Sequence, residues 1–346
     1  MKAFQLHGQS GPESLRLVEI PEPRPGPGQV LIRMRANSLN YRDLMIADGR
    51  YGKINLPLVP LSDGAGEIVG VGPGVARWQT GDRVAGTFFQ GWSSGTYRRE
   101  ILGTALGGAL GGMLAEFVVL SEAGVVAIPA QLSFAEAATL PCAGVTAWHA
   151  LVARGRVGAH ETVLLLGTGG VSLFALQIAR LHGARTIITS GSDEKLVRAR
   201  ALGADATISL DQSPDALTAA LRTEITTHGV DIVLDYLWGP PAETLLSAIA
   251  QRGLSHTAPR IRYVQIGNMA GADISLSAAT LRSSGLELLG SGFGSASLDQ
   301  ILRSISDFFT HIAATPMPFA FKTAPLSEVT TLWNSEDQGV RLVFQP

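Results

Sequence analysis

The sequence predicts an α/β protein in which a β-rich region precedes a doubly wound parallel sheet. Three observations predict it. From Glu161 onward, short apolar runs alternate with stretches of helical periodicity. Residues 1–125 instead carry strand-like runs broken by glycine and proline. The length, 346 residues, exceeds a usual single domain and predicts two.

In the first region, 29–36 partly alternates apolar with polar residues, as a half-buried strand should. The prolines of 21–28 forbid regular pairing and mark a loop before it. The glycines of 64–72 predict a strand with close backbone approaches, and 81–86 a turn entering another strand. Near Ser133 the period changes; Ser133 and Glu136 have the spacing of a helix capping box, and a further helix is expected over 144–154. The run 162–166 is continuously apolar, as in a parallel strand buried on both faces. A helix over 171–182, a strand over 185–190, a helix over 194–202 and a strand over 206–210 follow. Further strands are expected at 231–235, 263–266 and 286–289, and the tail resumes mixed character.

Hydrophobic residues make up 46% of the chain and charged residues 16%, so a sizeable core is expected and disorder is excluded. A formal net charge of −2 leaves no electrostatic footprint for nucleic acid or an anionic membrane. The single cysteine, Cys142, excludes an intramolecular disulfide and an all-cysteine zinc site. No long apolar leader opens the chain, and the apolar run 105–114 is glycine-broken and too short to span a bilayer. A soluble cytoplasmic protein is expected. The seven histidines show no metal spacing, and His149 reads as a helix residue.

The chemistry-bearing signal is Gly167-Thr168-Gly169-Gly170-Val171-Ser172, between an expected strand and an expected helix. The first glycine permits the tight turn, Gly169 lets backbone approach a pyrophosphate, and Ser172 is small enough for helix to lie near strand. The amides at that helix end bind an anion without a charged side chain. A glycine turn can also be mere connection, but the alternation downstream favours a dinucleotide site. At the end of the second strand, NAD-preferring sites usually place a carboxylate for the ribose hydroxyls. Here Ser190-Gly191-Ser192 stands there, with Asp193 past the position and Lys195 close by. Two hydroxyls, turn amides and a cation suit a 2′-phosphate, so NADP(H) is the expected cofactor. Ser192 or Asp193 reads equally as a helix cap, and the two readings are compatible.

Several further motifs recur in order: Asn40-Tyr41-Arg42-Asp43, Pro57-Leu58-Val59-Pro60, Gly64-Ala65-Gly66, Gly81-Asp82-Arg83-Val84, 140–148 and Ala201-Leu202-Gly203-Ala204-Asp205. With the glycine turn they resemble the medium-chain dehydrogenase/reductase superfamily, in its zinc-independent, quinone-oxidoreductase-like branch, over nearly the whole chain. The resemblance implies a GroES-like catalytic domain (1–125 and 295–346) around a Rossmann domain (126–294), an active site between them and a homodimer. It implies cofactor contacts at Thr146, Gly167, Thr168, Gly169, Gly170, Val171, Ser190, Gly191, Ser192 and Lys195. Gly267, Asn268, Gly292 and Phe293 follow later strands at the ligand-binding edge, and Arg341 stands near a basic position of the family's terminal pattern.

Zinc-dependent members carry Cys where this chain has Asn40, and Gly-His-Glu where it has Leu61-Ser62-Asp63; Cys142 matches a third ligand position in some of them. Asn and Ser are poor zinc ligands, so no metal is expected. Without a Lewis acid the easier reaction is hydride delivery to an electron-poor acceptor, a small enone, enoyl compound or quinone, with a hydrogen-bond donor at the developing enolate. The resemblance offers Tyr51, similar to the tyrosine of 2-enoyl thioester reductases, with Tyr41 and Asn40 at the old metal position. Tyr51 reads equally as an aromatic packed in a loop. Phe88-Phe89-Gln90-Gly91-Trp92 reads as the wall of an apolar pocket or as core. Two other functions stay open: a zinc-free NADP-dependent alcohol or aldehyde dehydrogenase, and a non-catalytic NADPH-binding redox sensor.

Overall fold

In chain order the strands are β1 (Lys2–Leu6), β2 (Leu15–Glu19), β3 (Gln29–Ser38), β4 (Asp63–Val71), β5 (Arg83–Gly86), β6 (Phe117–Ser121) and β7 (Val125–Ala127). Then come β8 (Thr162–Leu166), β9 (Arg185–Ser190), β10 (Ala206–Ser209), β11 (Ile232–Asp235), β12 (Ile261–Gln265) and β13 (Leu286–Gly290), and finally β14 (Phe321–Pro325) and β15 (Arg341–Gln345). This computed structural model describes residues 1–91, 99–250, 260–292, 295, 298–315, 317–318, 321–334 and 340–346. Trp92 and Phe293, both singled out above, lie outside them.

The chain divides into two compact units, Met1–Val145 with Ser297–Pro346, and Thr146–Ala296. The segment 126–145, grouped above with the second domain, packs with the first unit. Its strand β7 pairs with β5, and the helix Phe134–Ala138 packs on β3 and β4.

In the first unit β3 is the hub. It pairs antiparallel with β4, β6 and β15, in a sheet ordered β14-β15-β3-β4-β5-β7. The expected close approaches occur: a Cβ on Gly66 would collide with the carbonyl oxygen of Arg33, where the β3–β4 register shifts. The core includes an apolar cluster with Leu6, Ile46, Trp333 and Phe344 and another with Ile32, Met34, Ile68 and Met113. Each such fully buried side chain contributes roughly 1.5–3 kcal/mol over its exposed state.

The second unit is a parallel sheet of order β10-β9-β8-β11-β12-β13, with every strand pair parallel. All carboxyl ends therefore lie along one edge, and the order reverses between β8 and β11, where such sheets bind ligands. Every residue of β8 is buried, as its continuous apolar run predicts. The capping box at Ser133 forms as expected: Ser133 N donates to Glu136 Oε2 at 2.7 Å, and Glu136 N donates to Ser133 Oγ at 3.2 Å. The helix expected over 144–154 is different. A four-residue α-turn, Val145–Trp148, is flanked by π-helical turns at Leu140–Gly144 and His149–Arg154. Pro141 offers no amide to an α ladder, which favours a widened turn there. Among the described residues no helix is long and apolar enough to cross a membrane.

Candidate functional site

The glycine turn leaves β8 at Gly167, whose φ of 102° is strained for any residue with a side chain. Gly167 N donates to Thr189 Oγ1 at 3.1 Å, and Ser172 Oγ donates back to Gly167 O at 2.5 Å, pinning turn to strand and helix. Thr168 Oγ1 lies 2.8 Å from Ser190 Oγ, tying the turn to the end of β9. The helix Gly170–Leu181 starts at Gly169 with no side-chain cap among the described residues. The first amides of a helix have no intrahelical acceptor. A Cβ at Gly169 would have nothing within 4 Å. The cradle is thus a set of donors and a positive helix end, facing open space.

At the neighbouring strand end, Ser192 N donates to Ser190 Oγ at 3.2 Å, and Ser192 Oγ accepts from Lys195 N at 3.5 Å as cap of the helix Asp193–Ala201. Gly191 is exposed and a Cβ on it would also meet nothing. Partial burial, then the charge of Arg198, lowers the Lys195 pKa from its ordinary value. Asp193 is exposed on the first helical turn. Further along the edge, Gly267 N donates to Asp235 O at 3.2 Å, and a Cβ there would stand 2.8 Å from Tyr236 O. Asn268 is exposed, Gly292 N donates to Ser295 Oγ at 2.7 Å, and Thr146 is half-buried in the Val145–Trp148 turn.

Sequence reasoning missed Asp235, the fully buried end of β11. Its carboxylate accepts from Leu237 N at 2.8 Å, Trp238 N at 2.9 Å and Tyr263 Oη at 2.7 Å. Burial pushes its pKa up, against those three donors. It shapes the turn that carries Trp238 at φ 56° and sets Leu237 beside Gly167.

The first unit has a second constellation. Asn40 precedes the helix Tyr41–Ala47, and Asn40 N donates to Asp43 Oδ2 at 2.8 Å. Arg341 Nη1 donates to Asn40 Oδ1 at 2.5 Å, Leu39 O at 3.1 Å and Ser38 Oγ at 3.3 Å. Asp63 accepts from Ser62 Oγ and from Cys142 N, both at 3.0 Å. Burial raises the pKa of Asp63, opposed by Asn40 and Arg341, and raises that of Asp43 to about 7, opposed first by Arg42. Burial, reinforced by Asp63, pushes the Cys142 thiol well up, while burial lowers the Arg341 pKa against the pull of Asp63. Asn40, Ser62, Asp63, Cys142 and Arg341 therefore meet, although Arg341 was placed above among the cofactor contacts.

The two tyrosines stand apart from this centre in exposure: Tyr41 is 44% exposed and Tyr51 45%, against 6% for Asn40. Arg50 Nη1 donates to Tyr41 Oη at 3.2 Å. Phe88 and Phe89 meet edge to face at 4.8 Å; Phe89 is buried and Phe88 half-buried. Gln90 Nε2 donates to the carbonyls of Thr87 and Gly124, a tie within the β scaffold.

Comparison with known proteins follows this division. Residues 26–130 match the alcohol dehydrogenase GroES-like domain, and residues 170–307 the zinc-binding dehydrogenase family. A solved structure from Sinorhizobium meliloti 1021, described as an alcohol dehydrogenase, superposes at a TM-score of 0.86 with 34% identity, covering 100% of this chain and 98% of that one. The chain belongs to the medium-chain dehydrogenase/reductase superfamily. It is 44% identical over 232 residues to a zinc-type alcohol dehydrogenase-like protein of Schizosaccharomyces pombe, an alignment spanning 66% of each. It is 34% identical over 218 residues to the chloroplastic quinone-oxidoreductase QR1 of Triphysaria versicolor, spanning 60% of each. Like its relatives, this medium-chain member is an oxidoreductase of a nicotinamide-nucleotide family. The Asn40–Asp43 pair had a sequence signal, an N-cap and N3 residue of capping-box type; Arg42 had only its place in the Asn40-Tyr41-Arg42-Asp43 motif, and Asp235 had none.

Proposed function

We propose that this protein is an NADPH-dependent, metal-independent reductase that delivers hydride to an activated carbon–carbon double bond conjugated to a carbonyl, or to a quinone. The observation that carries the reaction class is the Arg341–Asn40 contact at 2.5 Å. At the positions where zinc-dependent relatives hold their metal, this chain places a neutral amide already bound to its own guanidinium.

Zinc, which the name of the matched family implies, does not fit the residues present. Asn40 and Ser62 are poor ligands, and both Asp63 oxygens already accept hydrogen bonds. The Arg341 charge would repel a dication. Among the described residues no group of three His, Cys, Asp or Glu side chains is arranged to hold a metal ion.

The nucleotide does fit. The open space at Gly169 and Gly191 leaves room for phosphates against backbone. Bound NADPH supplies the hydride. The amides after Gly169 would hold the pyrophosphate, and Ser190, Ser192 and Lys195 would receive the 2′-phosphate, which a β9 end without a carboxylate permits. As hydride reaches the β-carbon, the π electrons move onto the carbonyl oxygen, and the Tyr51 hydroxyl donates to that oxygen. A proton from solvent would then complete the α-carbon as the enolate returns to the carbonyl. Tyr41, also exposed, is a further hydroxyl able to serve.

Two measurements test this. Purified protein should oxidise NADPH with a small enone or quinone, and a chelator should leave the rate unchanged. Ser190→Asp should lower the kcat/KM ratio of NADPH to NADH at least about tenfold, since a carboxylate repels the 2′-phosphate. Inactivity across an acceptor panel with both nucleotides would overturn the reading, and alcohol-dependent NADP⁺ reduction would replace it with a dehydrogenase.

A further inference from the structure

The first unit contains a buried cation, Arg42, whose contacts extend beyond the polar centre around Asn40. The Arg42 side chain is 10% exposed. Its Nη1 donates to Leu106 O at 2.9 Å and lies 3.8 Å from Asp43 Oδ1. Its guanidinium carbon lies 4.6 Å from the centroid of the Phe88 ring and 5.0 Å from that of Tyr51, within cation–π range of both. A Cβ on Gly108 would come within 2.5 Å of Nη2, so the side-chain-free position at Gly108 makes room for the fork. One side chain thus ties together the helix Tyr41–Ala47, the loop after it, the segment after β5 and the glycine-rich run at 105–112.

We propose that Arg42 is the positioning residue of Tyr51: it anchors the phenol ring and so holds its hydroxyl in place. The proposal rests on Tyr51 being the donor in the reaction above. Tyr51 needs an anchor. It is exposed, it lies between Gly49 (φ 74°) and Gly52 (φ 98°), and its amide makes a long bond to Met45 O at 3.2 Å. A flat guanidinium against the ring restricts both position and tilt, which a flexible point charge does not. The contact with Asp43 keeps the guanidinium paired without blocking either ring.

The test uses the full chain with 3-fluorotyrosine incorporated. Five tyrosines give five ¹⁹F resonances, and Tyr51→Phe assigns one of them. In Arg42→Met the Tyr51 resonance should move toward that of a free, solvated tyrosine. Turnover of NADPH with an enone should fall roughly tenfold in kcat, with KM for NADPH changed less than about twofold. Arg42→Lys should recover only part of the loss, and adding Arg42→Met to Tyr51→Phe should cause no further fall. If Arg42→Met does not fold, Gly108→Ala, which displaces only the Nη2 end, should move the same resonance. An unmoved Tyr51 resonance overturns the proposal, as does an equal loss of kcat in the Tyr51→Phe background. A moved resonance with full turnover in Tyr51→Phe sinks the role of Tyr51 itself and leaves only the anchor.

Discussion

The glycine turn after β8 and the polar centre around Asn40 use similar materials, backbone and small polar side chains, to opposite ends. At the turn, the helix Gly170–Leu181 begins without a side-chain cap, and the space beyond Gly169 is open. In the centre, Asp43 and Asp63 are 1% and 0% exposed, and their surroundings are the chain's own donors and the guanidinium groups of Arg42 and Arg341. An open set of donors with no charge of its own is a place for a ligand. Buried charges that balance one another, two acidic and two basic, form a scaffold. The turn leaves its donors facing open space, while the centre turns its charged groups toward one another.

The strongest way to break that comparison is to unbalance the centre. Arg341→Met leaves Asp63 buried without its cation and frees Asn40 Oδ1, and should lower stability by about 3 kcal/mol in urea unfolding. Combining it with Asp63→Asn should recover part of the loss, because both charges then disappear together. A loss below about 1 kcal/mol for the single variant would mean that the centre is not a coupled network.

The turn should respond in the reverse sense. Gly169 has ordinary extended dihedrals, φ −72° and ψ 171°, so Gly169→Val meets neither strain nor neighbours. Its side chain would fill the space assigned to phosphate. Calorimetry should show NADPH affinity reduced about a hundredfold, roughly 2.7 kcal/mol, with Tm changed by less than about 2 °C. A variant that binds normally would remove the turn from the nucleotide site. A variant that unfolds would remove the distinction between the two regions.

The sequence reveals one of these regions far better than the other. Strand β8 and the helix Gly170–Leu181 are contiguous, and their periods switch from a buried run to a helical repeat at Gly167, so local pattern suffices. The bounds at β9 and at Ser133 are legible for the same reason, since a cap and its strand are neighbours in the chain. The polar centre joins Asn40, Asp63, Cys142 and Arg341, residues tens to hundreds of positions apart. A resemblance could bring the first three together, because the relatives' metal ligands mark their positions. Nothing local shows that Arg341 turns toward Asn40, or that Arg42 lies between Phe88 and Tyr51 and against Leu106. The segment expected to be helical over 144–154 is helical throughout, but an apolar run does not state whether its ladder closes at four residues or five.

The smallest expected effect concerns protons. The Asp43 carboxyl titrates at about 7 in the folded protein against an ordinary 3.8, chiefly because it is buried. Between those values the folded state binds a proton that the unfolded state does not. Stability should therefore fall as pH rises from about 4 to about 7, and change little through this group above that. Asp43→Asn keeps an oxygen for the Asn40 amide and removes the titration. It should flatten the profile and leave the variant more stable than wild type at pH 8 by roughly 1–2 kcal/mol in urea unfolding. Some slope should persist, because burial raises Asp63 and Asp235 in the same direction. Gly169→Val, which touches no titrating group, should reproduce the wild-type profile. If Asp43→Asn runs parallel to wild type across that range, the Asp43 carboxyl is ionised in the fold and fully held by Arg42 and the Asn40 amide. The centre would then be an ion-paired network at every working pH, and its contrast with the uncharged turn would be sharper still.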